Sequence, residues 1–181
     1  MKLSELNDVD LVKRFHAGDE VAFAEFVRRH QDQIYRLAHL WLYDVSFVED
    51  VTQEVMLRSY QGLGRFRFRS APSTWLVRVA RNVCLEMNRK SSAYVVLAVA
   101  QEPIAQTLPT LEERQHQRQQ GITVRNKLSH LTQRQREVVS LRIFEELSVK
   151  DTAHIMRCRP GTVKALLHKA IANLKVVMAD E

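Results

Sequence analysis

SVKDTAHIMRCRPGTVKALLHKAIANL, Ser148 to Leu174, holds two short apolar-striped segments around a tight turn. Ser148 with Asp151 starts a helix bearing Ala153 and Ile155, and Arg157 to Gly161 makes the turn. Thr162 then opens a last helix with Val163, Leu166, Leu167, Ile171 and Leu174. Two helices so joined form a helix-turn-helix. Val163 and Leu167 face the core, which leaves Lys164, Ala165, His168 and Lys169 on the outward side. Such a helix fits the DNA major groove, where its first turns meet base edges. Arg157, Arg159 and Lys150 fall where cations would meet phosphates. A helical hairpin with a solvated basic face fits the same residues. From Val124 to Glu181 there are 11 Lys and Arg against 6 Asp and Glu, which favours DNA.

Upstream, Thr132 and Gln135 stand in the capping-box relation ahead of Val138, Val139, Leu141 and Ile143. Val124, Leu128 and Leu131 form a shorter stripe, and Glu112 to Gln120 reads as a polar helical start. Between Ser91 and about Thr110 the periodicity fails, Pro103 and Pro109 occur, and no Lys or Arg appears. This predicts a linker over 91–111 between modules 1–90 and 112–181. The apolar run Tyr94 to Ala100 inside it has no assigned place.

The N-terminal module also reads as helical. Asp8 or Asp10 caps a helix that Gly18 stops, and a second follows from Asp19 through Trp41. Ser46 and Glu49 form another capping-box pair before Val48, Val51, Val55 and Met56, and Gly62 and Gly64 end that helix. Ser73 or Thr74 caps the next. No alternating strand pattern is present, and the fold class expected is all-α, two small helical domains joined by a linker. The 181 residues include only 5 Gly and 4 Pro, and 45% are hydrophobic.

Two segments of the first module carry chemistry. From Val55 to Lys90 there are 8 Lys and Arg and a single acid, Glu86, interleaved with Phe66, Phe68 and Trp75. Rings that stack on bases and guanidiniums that hold phosphates suit single-stranded nucleic acid. Trp75 has a competing core role. Phe66 and Phe68, in a loop flanked by three Arg, are expected at the surface. Just before lies the opposite charge: Asp44, Glu49, Asp50 and Glu54, with no Lys or Arg between Trp41 and Glu54. Asp50, Glu54 and Leu57 share one helical side with Gln53 alongside. That side suits a basic protein partner, and a solvated surface equally.

The remaining composition excludes more than it assigns. Net charge is +6. Cys84 and Cys158 form no ligand pattern and read as free thiols in a reducing cytoplasm. The 7 His are scattered, at 16, 30, 39, 116, 130, 154 and 168. No metal, cofactor or catalytic residue set is expected, and the chain does not read as an enzyme. MKLSELNDVD has no apolar core behind its Lys and does not read as a signal peptide. No apolar run is long enough to span a bilayer.

The order of these features resembles the extracytoplasmic-function sigma factors, in the sigma-70 family of bacterial RNA polymerase. The resemblance covers about Asp8 to Leu174. It rests on DLVKRFHAGD (10–19) with Ala22-Phe23, EDVTQEVML (49–57), GRFR (64–67), STWLVRVARN (73–82), Leu131-Thr132 with RQRE (134–137), and GTVK (161–164). It implies an alternative sigma factor that binds core polymerase, directs initiation at a promoter class and opens the duplex. Asp50, Gln53, Glu54 and Leu57 would meet the polymerase clamp. Phe66, Arg67, Phe68, Arg69 and Ser70 would wall the pocket for an unstacked −10 base, with Thr74, Trp75, Arg78, Arg81 and Asn82 along the same strand. Arg159, Thr162, Lys164, Ala165, His168 and Lys169 would face the −35 element. Partners implied are the polymerase clamp and flap, promoter DNA and an anti-sigma protein, in the cytoplasm without membrane insertion. The sequence departs from the family at Ala165-Leu166, where many relatives carry Ser-Arg, and at Arg69 to Pro72, where relatives often carry Gly and an acid. A two-domain regulator acting on duplex DNA without polymerase, and a single-strand nucleic-acid adaptor, are the alternatives. The acidic Asp50 side favours the sigma reading over both.

Overall fold

The structure, a computed structural model, describes residues 2–97 and 124–179, and every regular element in them is helical. The chain divides into two compact units, Met1–Ser91 and Ser92–Glu181. The expected helical start at Glu112 to Gln120 lies outside the described residues, as does most of the expected linker.

The first unit is built from helices α1 (Asp8–His16), α2 (Glu20–Trp41), α3 (Val48–Leu63) and α4 (Pro72–Leu97). Asn7, not Asp8 or Asp10, caps α1, its side chain accepting from the Asp10 N–H. Gly18, at φ +94°, takes the left-handed conformation that ends the turn. Asp19 then caps α2 through the N–H groups of Val21 and Ala22. The buried stripe Ala22, Phe26, Ile34, Leu37, Ala38 and Trp41 packs with Leu11 and Val12 of α1, with Val48, Val51, Val55 and Leu63 of α3, and with Leu76, Val77, Ala80, Val83 and Cys84 of α4. Each large member of such a core stabilises by about 1.5–3 kcal/mol.

The start of α3 differs from expectation. Asp44 sits two residues ahead of Ser46 and accepts from both its N–H and its hydroxyl, at 2.9 and 2.7 Å. Asp44 thus takes the Ser46 N–H that Glu49 would accept in a capping box, and Phe47, not Ser46, stands at the N-cap of α3. Asp44 caps a short 3-10 turn, Val45–Phe47, that leads into α3. Buried Asn88 of α4 ties this entry down, donating to the Trp41 carbonyl and accepting from the Tyr43 N–H. Gly62 lies inside α3 rather than ending it. Pro72 begins α4, and its fixed φ suits a first helical residue. This helix continues to Leu97, so residues 91–97, expected as linker, are helical.

The second unit contains α5 (124–129), α6 (Gln133–Val139), α7 (Val149–Met156) and α8 (Pro160–Ala179). The Thr132–Gln135 capping box forms in full. Gln135 also accepts from Asn173 of α8, at 3.4 Å. A π turn, Ser140–Phe144, unwinds the end of α6 and leaves Ile143 and Phe144 exposed. Ser148 caps α7 through the Asp151 N–H. The core is Leu128, Leu131, Val138, Val139, Leu141, Ala153, Ile155, Met156, Val163 and Ala170.

Candidate nucleic-acid and polymerase interfaces

The exposed side of α3 is set by helical spacing. Val48, Val51, Val55, Ser59 and Leu63 face inward, so Asp50, Gln53, Glu54 and Leu57 face out. Leu57 is 54% exposed, an apolar side chain within an acidic surface. Glu54 is ion-paired: Arg58 reaches it at 2.6 Å and also reaches Glu86 of α4 at 2.8 Å. Those two carboxylates, Glu54 first, raise the Arg58 pKa. One turn on, Tyr60 is exposed, and its hydroxyl donates to Glu20. Its ring packs against Phe15 and Phe23.

The turn after α3 separates residues that the sequence grouped. Phe66 is only 8% exposed. Its ring packs on Trp75, with centroids 5.6 Å apart, and on Phe68, at 5.1 Å. The expectation of a surface Phe66 is therefore corrected: its partner comes from α4, which loop position does not reveal. Phe68 is 38% exposed and sits at φ +52°, a conformation unusual for a bulky residue. Arg65, Arg67 and Arg69 are exposed around it, and Ser70 is half-buried.

On α4, spacing again sorts the residues. Thr74, Val77, Arg81, Cys84 and Asn88 form an inward stripe, all buried. Thr74 and Arg81 are thus not at the surface, contrary to a role along a DNA strand. Trp75, Arg78 and Asn82 lie on the adjoining stripe and are half-buried.

Two residues that the sequence does not connect with this region shape it. Gly62 faces Trp75 so closely that a Cβ there would lie 2.9 Å from the ring. His16, at the end of α1, bonds through Nε2 to the Leu63 carbonyl at 2.7 Å and meets the Phe68 ring edge-on. No spacing rule links residues that far apart in sequence.

In the second unit, Arg157 takes the left-handed conformation, φ +51°, at the end of α7. The N–H of Cys158 bonds to the Ala153 carbonyl. Pro160 then starts α8, two residues before the expected Thr162, so Gly161 lies within the helix. The Arg159 carbonyl accepts from Thr162 and Val163. Arg159, Lys164, Ala165, His168 and Lys169 are all exposed and Thr162 is half-buried, while Val163 is fully buried. The outward face therefore forms as expected. The helix dipole at the head of α8 favours phosphate there, although Pro160 has no N–H and those of Thr162 and Val163 are held by Arg159.

Among the described residues no cluster of metal-ligating side chains occurs, and no helix is long and apolar enough to cross a membrane. Both cysteines are free.

Residues 26–94 match the Sigma-70 region 2 family, and residues 122–174 match Sigma-70, region 4. The chain is 33% identical over 170 residues to the ECF RNA polymerase sigma factor SigM of Mycobacterium tuberculosis, covering 94% of this chain and 84% of that one. It is 29% identical over 180 residues to the ECF RNA polymerase sigma factor SigW of Bacillus subtilis, covering 93% and 95%. Among solved structures, CnrH in complex with the cytosolic domain of CnrY has a similar fold. The TM-score is 0.74 at 20% identity, covering 96% of this chain and 98% of that one. The sigma factor RpoE in complex with the anti-sigma factor NepR from Bartonella quintana gives a TM-score of 0.70 at 21% identity, covering 87% and 96%.

Proposed function

The chain belongs to the extracytoplasmic-function sigma factors of the sigma-70 family, and from that premise we propose how its surfaces divide the work of starting transcription. A sigma factor is an initiation factor, not an enzyme. It lends the polymerase a promoter preference and helps open the duplex. The Asp50, Gln53, Glu54 and Leu57 side of α3 docks on the polymerase clamp. Phe68 with Arg67, Arg69 and Ser70 receives an unstacked −10 base, while Trp75, Arg78 and Asn82 follow the strand. Phe66, Thr74 and Arg81 serve from inside, by holding that surface in shape. Arg159, Thr162, Lys164, Ala165, His168 and Lys169 face the −35 element. Residues 1–90 and 112–181 act as the two modules, with 91–111 as their connection.

The observation that carries this division is Leu57. Leu57, 54% exposed, stands one turn beyond Gln53 and Glu54 on the side that holds Asp50, so the side offers an apolar contact next to its carboxylates. A docking face uses both, because the leucine supplies burial and the carboxylates supply register. The second module also approaches the polymerase, at its flap. An anti-sigma protein covers one or more of these faces when the factor is idle; the fold it shares with a sigma factor solved together with an anti-sigma factor supports this. The chain works in the cytoplasm, where polymerase and promoter are.

The test is in vitro transcription with purified core polymerase on a genomic promoter pool. Promoter-specific transcripts that require the added chain are expected. Absence of such transcripts, together with failure to co-purify with core polymerase, would falsify the assignment.

A further inference from the structure

The surface that receives the −10 base rests on a residue outside every segment assigned to DNA. We propose that His16 of α1 is a positioning residue for Phe68. The inference builds on the reading of the Phe68 turn as the base-receiving surface.

Phe68 holds a left-handed backbone conformation. A bulky residue stays there only where surrounding contacts fix it. Two ring contacts supply that constraint. Phe66 meets it from the core side at 5.1 Å, and His16 meets it at 5.6 Å with the rings inclined at 65°. Phe66 is itself buried against Trp75. His16 comes from a different helix and closes the other side.

The imidazole is held as well. A carbonyl oxygen only accepts, so the 2.7 Å bond to Leu63 makes Nε2 the donor and fixes the ring's orientation. Leu63 is the last residue of α3, and its carbonyl also accepts from the Phe66 N–H at 3.0 Å. One oxygen thus joins the end of α3, the start of the aromatic turn and the end of α1. Gly18, two residues after His16, turns the chain away and keeps this end of α1 short. With its ring anchored, His16 backs Phe68 while leaving part of that ring open for stacking.

The proposal makes a specific claim: His16 acts through Phe68, not through DNA directly. A double-mutant cycle in reconstituted holoenzyme tests it, with promoter opening read as permanganate reactivity of thymines near the start site. The promoter is one that the unmodified protein transcribes. His16→Ala is expected to reduce opening about tenfold, the size of one edge-on ring contact plus one hydrogen bond. Core-polymerase affinity should stay as in the unmodified chain, and the thermal midpoint should fall by only several degrees. In a Phe68→Ala background the same change should have no further effect. His16→Gln, which offers an N–H to Leu63, and His16→Phe, which keeps the ring, should each recover part of the loss. Additive losses, a silent His16→Ala, or no recovery by either variant overturns the positioning role. A silent Phe68→Ala overturns the reading of the turn itself, and the role of His16 with it.

Discussion

A Cβ placed on Gly62 would stand 2.9 Å from the ring of Trp75, closer than real side chains approach. The pair joins α3 to α4 under the aromatic turn. Gly62→Ala therefore sets two effects against each other. Alanine favours the helix by about 1 kcal/mol. Overpacking costs about 1–3 kcal/mol, because the indole also packs on Phe66 and cannot simply rotate away. A net loss of about 1 kcal/mol is expected, read as a lower denaturation midpoint with altered tryptophan fluorescence. A more stable Gly62→Ala chain with unchanged emission would mean that Trp75 is free to move.

Some local patterns in the sequence set the structure directly, others yield to a neighbouring residue, and contacts distant in sequence leave no local pattern. The Thr132–Gln135 box needs only residues three apart, and it forms. The Ser46–Glu49 box has the same spacing but loses to Asp44, an acceptor two residues upstream that a box pattern ignores. Helical spacing alone could have placed Arg81 on the buried stripe with Val77 and Cys84. The charge of Arg81 points to the surface, but its helical position puts it inside. Phe66 needed knowledge of Trp75, and His16 needed knowledge of Leu63, 47 residues away. The outward face of α8 was legible because Val163 inside and Lys164 outside follow from one periodicity.

Phe66 and Phe68 are neighbours with different duties, and substitution should separate them. Phe66→Ala empties a buried site and should cost about 3–5 kcal/mol of stability. Phe68→Gly gives up an exposed ring but relaxes a left-handed backbone, so stability should stay within about 1 kcal/mol. Promoter opening should nevertheless fall sharply in Phe68→Gly. Denaturant titration alongside permanganate footprinting distinguishes the two; equal destabilisation by both would contradict the split.

The α3 face can be tested without touching DNA. Asp50 and Leu57 are exposed and carry none of the core. Asp50→Arg reverses a charge and should weaken core-polymerase binding by at least about tenfold. Leu57→Ala should weaken it less and leave the thermal midpoint unchanged. Neither should alter duplex binding by α8. If both activities decline together, the face is structural and not a docking surface.

Acid stability has a definite contributor in α2. The guanidiniums of Arg28 and then Arg29 donate to Glu25 and hold its pKa at about 2, against an ordinary 4.5. The folded chain thus favours the ionised carboxylate. That preference is fully present above pH 4.5 and fades as pH falls through about 2. Arg29 also holds the Leu3 and Leu6 carbonyls, so the N-terminal turn shares the effect. Glu25→Gln should flatten the loss of stability between those pH values, measured as urea midpoint against pH. An identical pH profile in the variant would show that the pair contributes nothing.

The proposed −35 surface offers two kinds of contact that salt can tell apart. Arg159 lies just before α8, where a cation and the helix dipole both favour phosphate. Arg159→Ala should weaken all duplexes alike and lower the salt slope by roughly one counterion. Lys164 stands exposed in the early turns of α8, which the proposed docking would bring to base edges. Lys164→Ala should cost about 1–3 kcal/mol on the preferred duplex and little on a scrambled one. Ala165 beside it offers only a methyl, suited to a thymine methyl and to no hydrogen bond. Ala165→Ser should therefore shift the preference among −35 variants while the salt slope stays constant. Binding isotherms across salt concentrations, on preferred and scrambled duplexes, resolve each case. Uniform losses from Lys164→Ala would move that lysine from the bases to the backbone.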